Sequence, residues 1–300
     1  MKSFLLDIKK NPGIYLILLP VLIWFIIFAY LPMFGLVMAF ENYTPKGGFF
    51  GSQFVGFKHF IDFFGSVYFG RLIRNTLLIS LLNLLFNFPA TIILALLLNE
   101  VKNKVFKKTL QTVSYLPYFI SLVIVCGLIA TFTASDGPIT ELIVGLGGKR
   151  QNYLGQPEYF RTIYILSDMW QGLGFGSIIY LAALSGIDQE LYEAASLDGA
   201  GHIQQLIHVT LPGISTTIIT LLILRMGTLF AVGYEKIILL YSTNTYETAD
   251  VISSYVYRKG LQEFNYSYSS AVGLFNSVIN TTLLVASNKL SRKFTETSLF

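Results

Sequence analysis

Within long apolar stretches of this chain, a few polar residues are of the types that bind solutes. Arg225, Glu235 and Lys236 are the charges of the stretch 211–241, and Asp168 is the charge of 162–187. Trp170 and Gln171 follow Asp168; a ring face stacks on a sugar, and a carboxylate or an amide takes its hydroxyls. Asp168 and Gln171, at i and i+3, share a helix face, whereas Trp170 points elsewhere. Packing, with Trp170 as an interfacial anchor, is the other reading. Arg225 either lines a polar pathway or is held by an acidic partner or backbone carbonyls, because an unpaired guanidinium in an apolar span is costly. Glu235 and Lys236 fall near the outer end of their stretch, within reach of water, with Glu235 kept as a pathway candidate. Asn276 and Asn280, like Asn83 and Asn87, share a face at i and i+4 and suit interhelical hydrogen bonds. Gly172 and Gly176 form a GxxxG, the pattern of a close helix crossing.

Other chemistries lack their residues. No G-x-x-x-x-G-K-[ST] occurs, so the chain is not expected to cradle ATP phosphates; Gly147-Gly148-Lys149-Arg150 lacks both the spacing and the hydroxyl. His59, His202 and His208 are too separated for a ligand trio. The single Cys126 excludes a disulfide framework and a Cys-based zinc site. An integral-membrane enzyme would want clustered carboxylates, a Ser/His pair or H-E-x-x-H near a membrane face, and none is found. No enzyme, metal or cofactor is expected.

The elements that must position these residues follow from composition. Of 300 residues 53% are hydrophobic and 13% charged, with a mean hydropathy of +0.60; a soluble domain carries about 25% charged residues. The net charge of +4 comes from scattered basic residues, so nucleic acid is not an expected partner. Residues 11–40, 75–99, 109–135 and 264–288 contain no Asp, Glu, Lys or Arg, and each is as long as the roughly 20 residues that a bilayer requires. With the two stretches that carry charges, six spans are expected, at 13–40, 75–99, 109–134, 162–185, 212–241 and 268–288. Helices are required because lipid leaves an open strand edge unsatisfied. The expectation is an all-α polytopic membrane protein, a single transmembrane domain over 1–300. The first stretch exceeds the roughly 7–15 apolar residues of a signal peptide and is read as a retained helix, with Pro20 and Pro32 kinking it or setting its ends. Thirteen residues beyond Pro212, Arg225 falls roughly 20 Å along the fifth span, near mid-membrane.

Orientation follows from Lys and Arg near the span ends. Lys2, Lys9, Lys10, Lys102, Lys104, Lys107, Lys108, Lys289, Arg292 and Lys293 mark one side with ten basic residues. Nine lie on the other, over longer loops: Lys46, Lys58, Arg71, Arg74, Lys149, Arg150, Arg161, Arg258 and Lys259. The denser side is read as cytoplasmic, with both termini inside.

Between the fourth and fifth spans lies 188-DQELYEAASLDGAGHIQQLIHVTLPG-213, without Lys or Arg although it faces the cytoplasm. Asp188 is a good N-cap, and Gly199 or Gly201 can end a first helix. Ile203, Leu206, Ile207 and Thr210 follow a helical period until Pro212. Two short helices at a bend can be gripped by a partner, or can lie as an amphipathic connector on the bilayer.

The stretch resembles the EAA motif of permease subunits of binding-protein-dependent ABC importers. Glu193, Ala194, Ala195, Gly199, Val209, Leu211 and Pro212 fill the motif in register, and Asp198 and Ala200 complete a DGA common in sugar permeases. The segments 30-YLPMFGLVMAF-40, 55-VGFKHF-60, 75-NTLLISLLNLLFNFPATIILALLLNE-100, 111-QTVSYLPYF-119 and 268-YSSAVGLFNSVIN-280 resemble the LplB-like branch of the maltose-type permeases, as does the ending Glu296–Phe300. The resemblance implies the type I importer permease fold, with Glu193, Ala194, Ala195, Asp198, Gly199, Leu211 and Pro212 docking on an ATPase. It implies a second homologous permease, an ABC ATPase dimer that binds the ATP, an extracellular substrate-binding protein, and an oligosaccharide or polysaccharide fragment as cargo. The seat would be a bacterial cytoplasmic membrane. It also makes Asn276 the better pathway candidate of its pair, beside Arg225, Asp168, Trp170, Gln171 and Glu235. A permease for a peptide or polyamine is the alternative.

Overall fold

A computed structural model describes residues 10–295. Lys2, Lys9 and the ending at 296–300 lie outside the described residues. The chain forms two compact units, Met1–Ser66 with Val256–Phe275, and Val67–Tyr255 with Asn276–Phe300.

In the first unit, helix α1 (Pro12–Phe40) carries Pro20 within it. A π-turn at Ile26–Tyr30 precedes Pro32, which has no N–H to continue the ordinary ladder. A short antiparallel hairpin follows, β1 (Glu41–Asn42) and β2 (Gln53–Phe54), a departure from an all-α chain so small that the class is unchanged. Its base is tied by Val55 N–H donating to Phe40 O at 2.8 Å, and by His59 Nε2 lying 3.1 Å from Glu41 O. Helix α2 (Lys58–Phe64) buries Phe63 against the rings of Tyr268 and Phe275.

The second unit is built on α3 (Phe69–Glu100) and α7 (Pro157–Ser185), both longer than the apolar windows that betray them. Their first two turns carry Arg71, Arg74 and Arg161, which hydropathy counts as loop. These groups find partners around α12 (Tyr246–Ala249): Arg71 Nη2 pairs with Asp250 at 3.2 Å, and Asn75, held by Arg161 at 2.8 Å, donates to the carbonyls of Glu247 and Asp250.

The third span is not one helix. Helix α4 (Lys104–Phe119) and α5 (Leu122–Phe132) meet at 97°, after Pro117 turns the end of α4 into a 3-10 turn. Helix α6 (Pro138–Gly145) then occupies part of a segment read as loop. The fifth span is interrupted as well. Helix α10 (Ser215–Gly227) ends just beyond Arg225, residues 228–233 are non-helical, and α11 (Tyr234–Leu240) resumes. Non-helical backbone at such depth requires partners, and they come from other elements. Ser80 Oγ donates to Leu229 O, Asn280 Oδ1 accepts from Phe230 N–H at 2.8 Å, and Ser253 Oγ donates to Val232 O at 2.6 Å. Ser253 stands in α13 (Ile252–Tyr257) and Asn280 in α14 (Tyr266–Thr295), the last long helix.

The expected glycine crossing keeps Gly176 but uses Gly174 in place of Gly172. A Cβ on Gly172 would meet open space, whereas one on Gly174 would run into the Ser114 carbonyl, and one on Gly176 would lie 3.1 Å from Thr91. Gly174 and Gly176 bring α7 against α4 and α3, and Gly172 does not.

Candidate functional site

Along α3 and α7 two buried apolar clusters are separated by a polar layer. One cluster holds Ile79, Tyr164 and Ile237, the other Ala95, Tyr180 and Ile214. Between them in sequence stand Asn83 and Asn87 on α3 and Asp168 and Gln171 on α7. Asn83 is the fifteenth of the 32 residues of α3, so the layer falls near mid-membrane.

Four side chains in this layer are linked in series. Lys236 Nζ lies 3.3 Å from Asp168 Oδ1, and Asn83 Nδ2 donates to Asp168 Oδ2 at 2.6 Å. Arg225 Nη2 donates to Asn83 Oδ1 at 2.7 Å. Asn87 adds a second amide donor to Asp168 at 3.1 Å. Lys236 is only 4% exposed and lies over the Tyr164 ring, which corrects its reading as a solvated interfacial charge. The break at 228–233 turns α11 so that position 236 faces Asp168, which no straight helical count reveals. Glu235, its neighbour, is exposed. Arg225 is exposed too and makes no ion pair among the described residues.

Two cavities open on this layer, of about 360 Å³ and about 530 Å³, and share Leu122, Asp168, Gln171 and Arg225 as walls. Glu235 lines the first of them. Asp168 and Gln171 therefore do share a face. Trp170 turns away to a separate apolar cavity of about 1020 Å³, lined also by Phe132 and Ile163. Asn276 lies outside these cavities, with its buried Oδ1 lacking a partner among the described residues, whereas Asn280 caps the broken helix. Sequence reasoning missed Ser80 and the pairing of Lys236 with Asp168, whereas Asn280 makes an interhelical hydrogen bond of the kind expected of its pair. The i, i+4 pair Asn83 and Asn87 in a charge-free window was the available signal for the amide donors.

The segment after α7 folds as two short helices. Helix α8 (Gln189–Leu197) begins where Asp188 Oδ1 accepts the Glu190 N–H at 3.0 Å. It ends at Gly199, whose φ of +78° lets Ala200 N–H reach back to Ala195 O at 2.9 Å. Helix α9 (His202–Gly213) follows and bends by 59° into α10. The two are tied by Tyr192 Oη against Thr210 Oγ1 at 3.0 Å and by Gln205 Nε2 donating to Ser196 Oγ at 2.8 Å. His202 joins the hairpin to the end of α3 through Glu100, at 3.1 Å. Glu193, Ala194, Asp198, Gly199 and Pro212 are exposed, and Ala195 and Leu211 are half-buried. Leu191, Leu197, Ile203 and Ile207 are exposed apolar residues on the same hairpin. Tyr192 and Val209 instead pack against the buried cluster that holds Tyr180, Leu184 and Ile214, which joins the hairpin to α7 and to the start of α10.

Residues 87–295 match the sequence profile of the binding-protein-dependent transport system inner membrane component family. The chain belongs to that family. Among its relatives, protein LplB of Bacillus subtilis (strain 168) is 44% identical over 299 residues, covering 99% of this chain and 94% of LplB. The polygalacturonan/rhamnogalacturonan transport system permease protein YteP of the same organism is 44% identical over 300 residues, covering 100% and 94%. A solved chain of a bacterial ABC transporter involved in the import of the acidic polysaccharide alginate has 47% identity and a TM-score of 0.90, over 98% of this chain and 99% of that one. The family makes this chain a membrane component of a binding-protein-dependent transport system, and not an enzyme.

Proposed function

We propose that the chain is one permease of an ABC importer that moves an acidic oligosaccharide or polysaccharide fragment inward by alternating access. Arg225 carries this reading. It is a guanidinium in a cavity wall at mid-membrane, and its hydrogen-bond partner is the neutral amide of Asn83. A cation so placed needs an anion, and a sugar carboxylate passing through the cavity supplies one. Polygalacturonan and alginate, in the descriptions of two relatives, favour a carboxylated sugar over a peptide or polyamine.

The remaining parts follow the resemblance. A second homologous permease completes the pathway, an extracellular binding protein delivers the sugar, and an ATPase dimer binds the ATP. The exposed Glu193, Ala194 and Asp198 of the hairpin, with its apolar residues, offer that ATPase a docking face. Both termini lie on the cytoplasmic side with it.

The test is Arg225→Ala in a complex purified in mild detergent. Assembly with the second permease and the ATPase is expected to persist, while hydrolysis stimulated by a uronate oligosaccharide on its binding protein falls about tenfold, the loss of about 1.4 kcal/mol of binding. Loss of assembly would instead assign Arg225 to an acidic residue of the companion permease.

A further inference from the structure

The polar wall of the cavity has a direction. An amide side chain has one donating end and one accepting end, and the carboxylate of an ion pair accepts only. Asp168, paired with Lys236, therefore takes the NH₂ of Asn83 and leaves its carbonyl turned to Arg225. The flipped amide would set NH₂ against guanidinium and carbonyl against carboxylate, losing two charge-assisted bonds. Lys236 reaches the wall of the smaller cavity but is 4% exposed, its ammonium held by Asp168 and the Tyr164 ring, while Arg225 is exposed and walls both cavities. The two cations thus have different duties, one holding the anchor and the other facing the pathway.

We infer that the Lys236–Asp168 pair is a positioning device: through Asn83 it aims Arg225 into the cavity and sets the preference for a carboxylated sugar over a neutral one. This rests on the acidic-sugar reading of Arg225. Asp168 does not itself bind the sugar carboxylate, which it would repel; it fixes the amide that fixes the guanidinium. A free Arg225 would spread over several rotamers, and each bound sugar would have to reorder it.

The experiment measures stimulated ATP hydrolysis by the reconstituted complex with two probes, a uronate trisaccharide and the same trisaccharide with its carboxyls reduced to alcohols. The binding protein is the same throughout, so a change in the ratio of the two responses belongs to the permease. Wild type is expected to prefer the uronate. Asp168→Asn and Asn83→Leu are each expected to lower that preference about tenfold, and Asp168→Glu to restore most of it. Asn83→Leu keeps the ion pair, so it carries the test if Asp168→Asn does not assemble. An unchanged preference in Asn83→Leu, with a preference lost in Arg225→Ala, overturns the positioning device and leaves the acidic-sugar reading standing. A wild type without preference overturns both.

Discussion

Lys236 and Asp168 form an ion pair at 3.3 Å whose two halves are unequally supported. The lysine side chain is 5% exposed and has, besides Asp168, the face of Tyr164; the aspartate side chain is 30% exposed and also accepts from two asparagine amides. Removing the aspartate strands a buried cation, whereas removing the lysine leaves an anion with donors and some water. Asp168→Ala should therefore cost about 3 kcal/mol and Lys236→Met distinctly less. Thermal unfolding of the detergent-purified complex gives the order, and a greater loss in Lys236→Met would contradict it.

The break in the fifth span rests on Asn280. Asn280→Leu strands the Phe230 N–H and should cost about 1–3 kcal/mol. Asn276→Leu, one turn earlier, removes a carbonyl oxygen that is buried without a partner among the described residues and should be neutral or stabilising. Melting temperatures of the two variants, compared in one detergent, check the contrast.

Helix α7 distinguishes its glycines. Gly172→Ala has open space and should leave stability unchanged or slightly raised, since Ala is the better helix former. Gly174→Ala drives a methyl group into the Ser114 carbonyl and should prevent normal assembly, read as loss of the complex in size-exclusion profiles.

Glu193→Lys reverses a charge on an exposed face that carries no Lys or Arg and touches none of the apolar cluster beneath. Membrane insertion should be normal and sugar-stimulated ATP hydrolysis lost. Full stimulation in this variant would remove the docking role from α8.

Outside the membrane, Arg150 Nη1 and Nη2 grip Glu141 at 2.5 and 2.9 Å, and this hydrogen bonding holds the Glu141 carboxyl below its usual range. The pair's contribution is thus fully present above the ordinary glutamate value of about 4.3. It is lost as pH falls through the lower folded value. Protection of the amides across 138–150, relative to their intrinsic exchange at each pH, should be flat from neutral pH down to about 5 and fall only in stronger acid. In Arg150→Gln protection should be lower already at neutral pH and show no such acid step.

Composition alone places this chain in a membrane, and marks roughly where it crosses. Charge-free runs of these lengths mark membrane spans, and the helices α1, α3 and α14 contain the first, second and sixth of the six expected spans. Local sequence likewise specifies the hairpin after α7, because Asp188 at an N-cap and Gly199 at a positive φ are local requirements that a short stretch of residues satisfies alone. Charged residues within the apolar stretches marked Arg225 and Asp168 as candidates, but not what they meet. It took the folded arrangement to show that Asn83 stands between them, that Lys236 is buried, that Trp170 faces a different cavity, and that Asn280 rather than Asn276 caps the broken helix. The reason is physical. Hydropathy and capping act over a few consecutive residues, whereas the partner of a buried polar group comes from another helix, and the breaks after α4 and α10 rotate later residues away from where helical counting puts them.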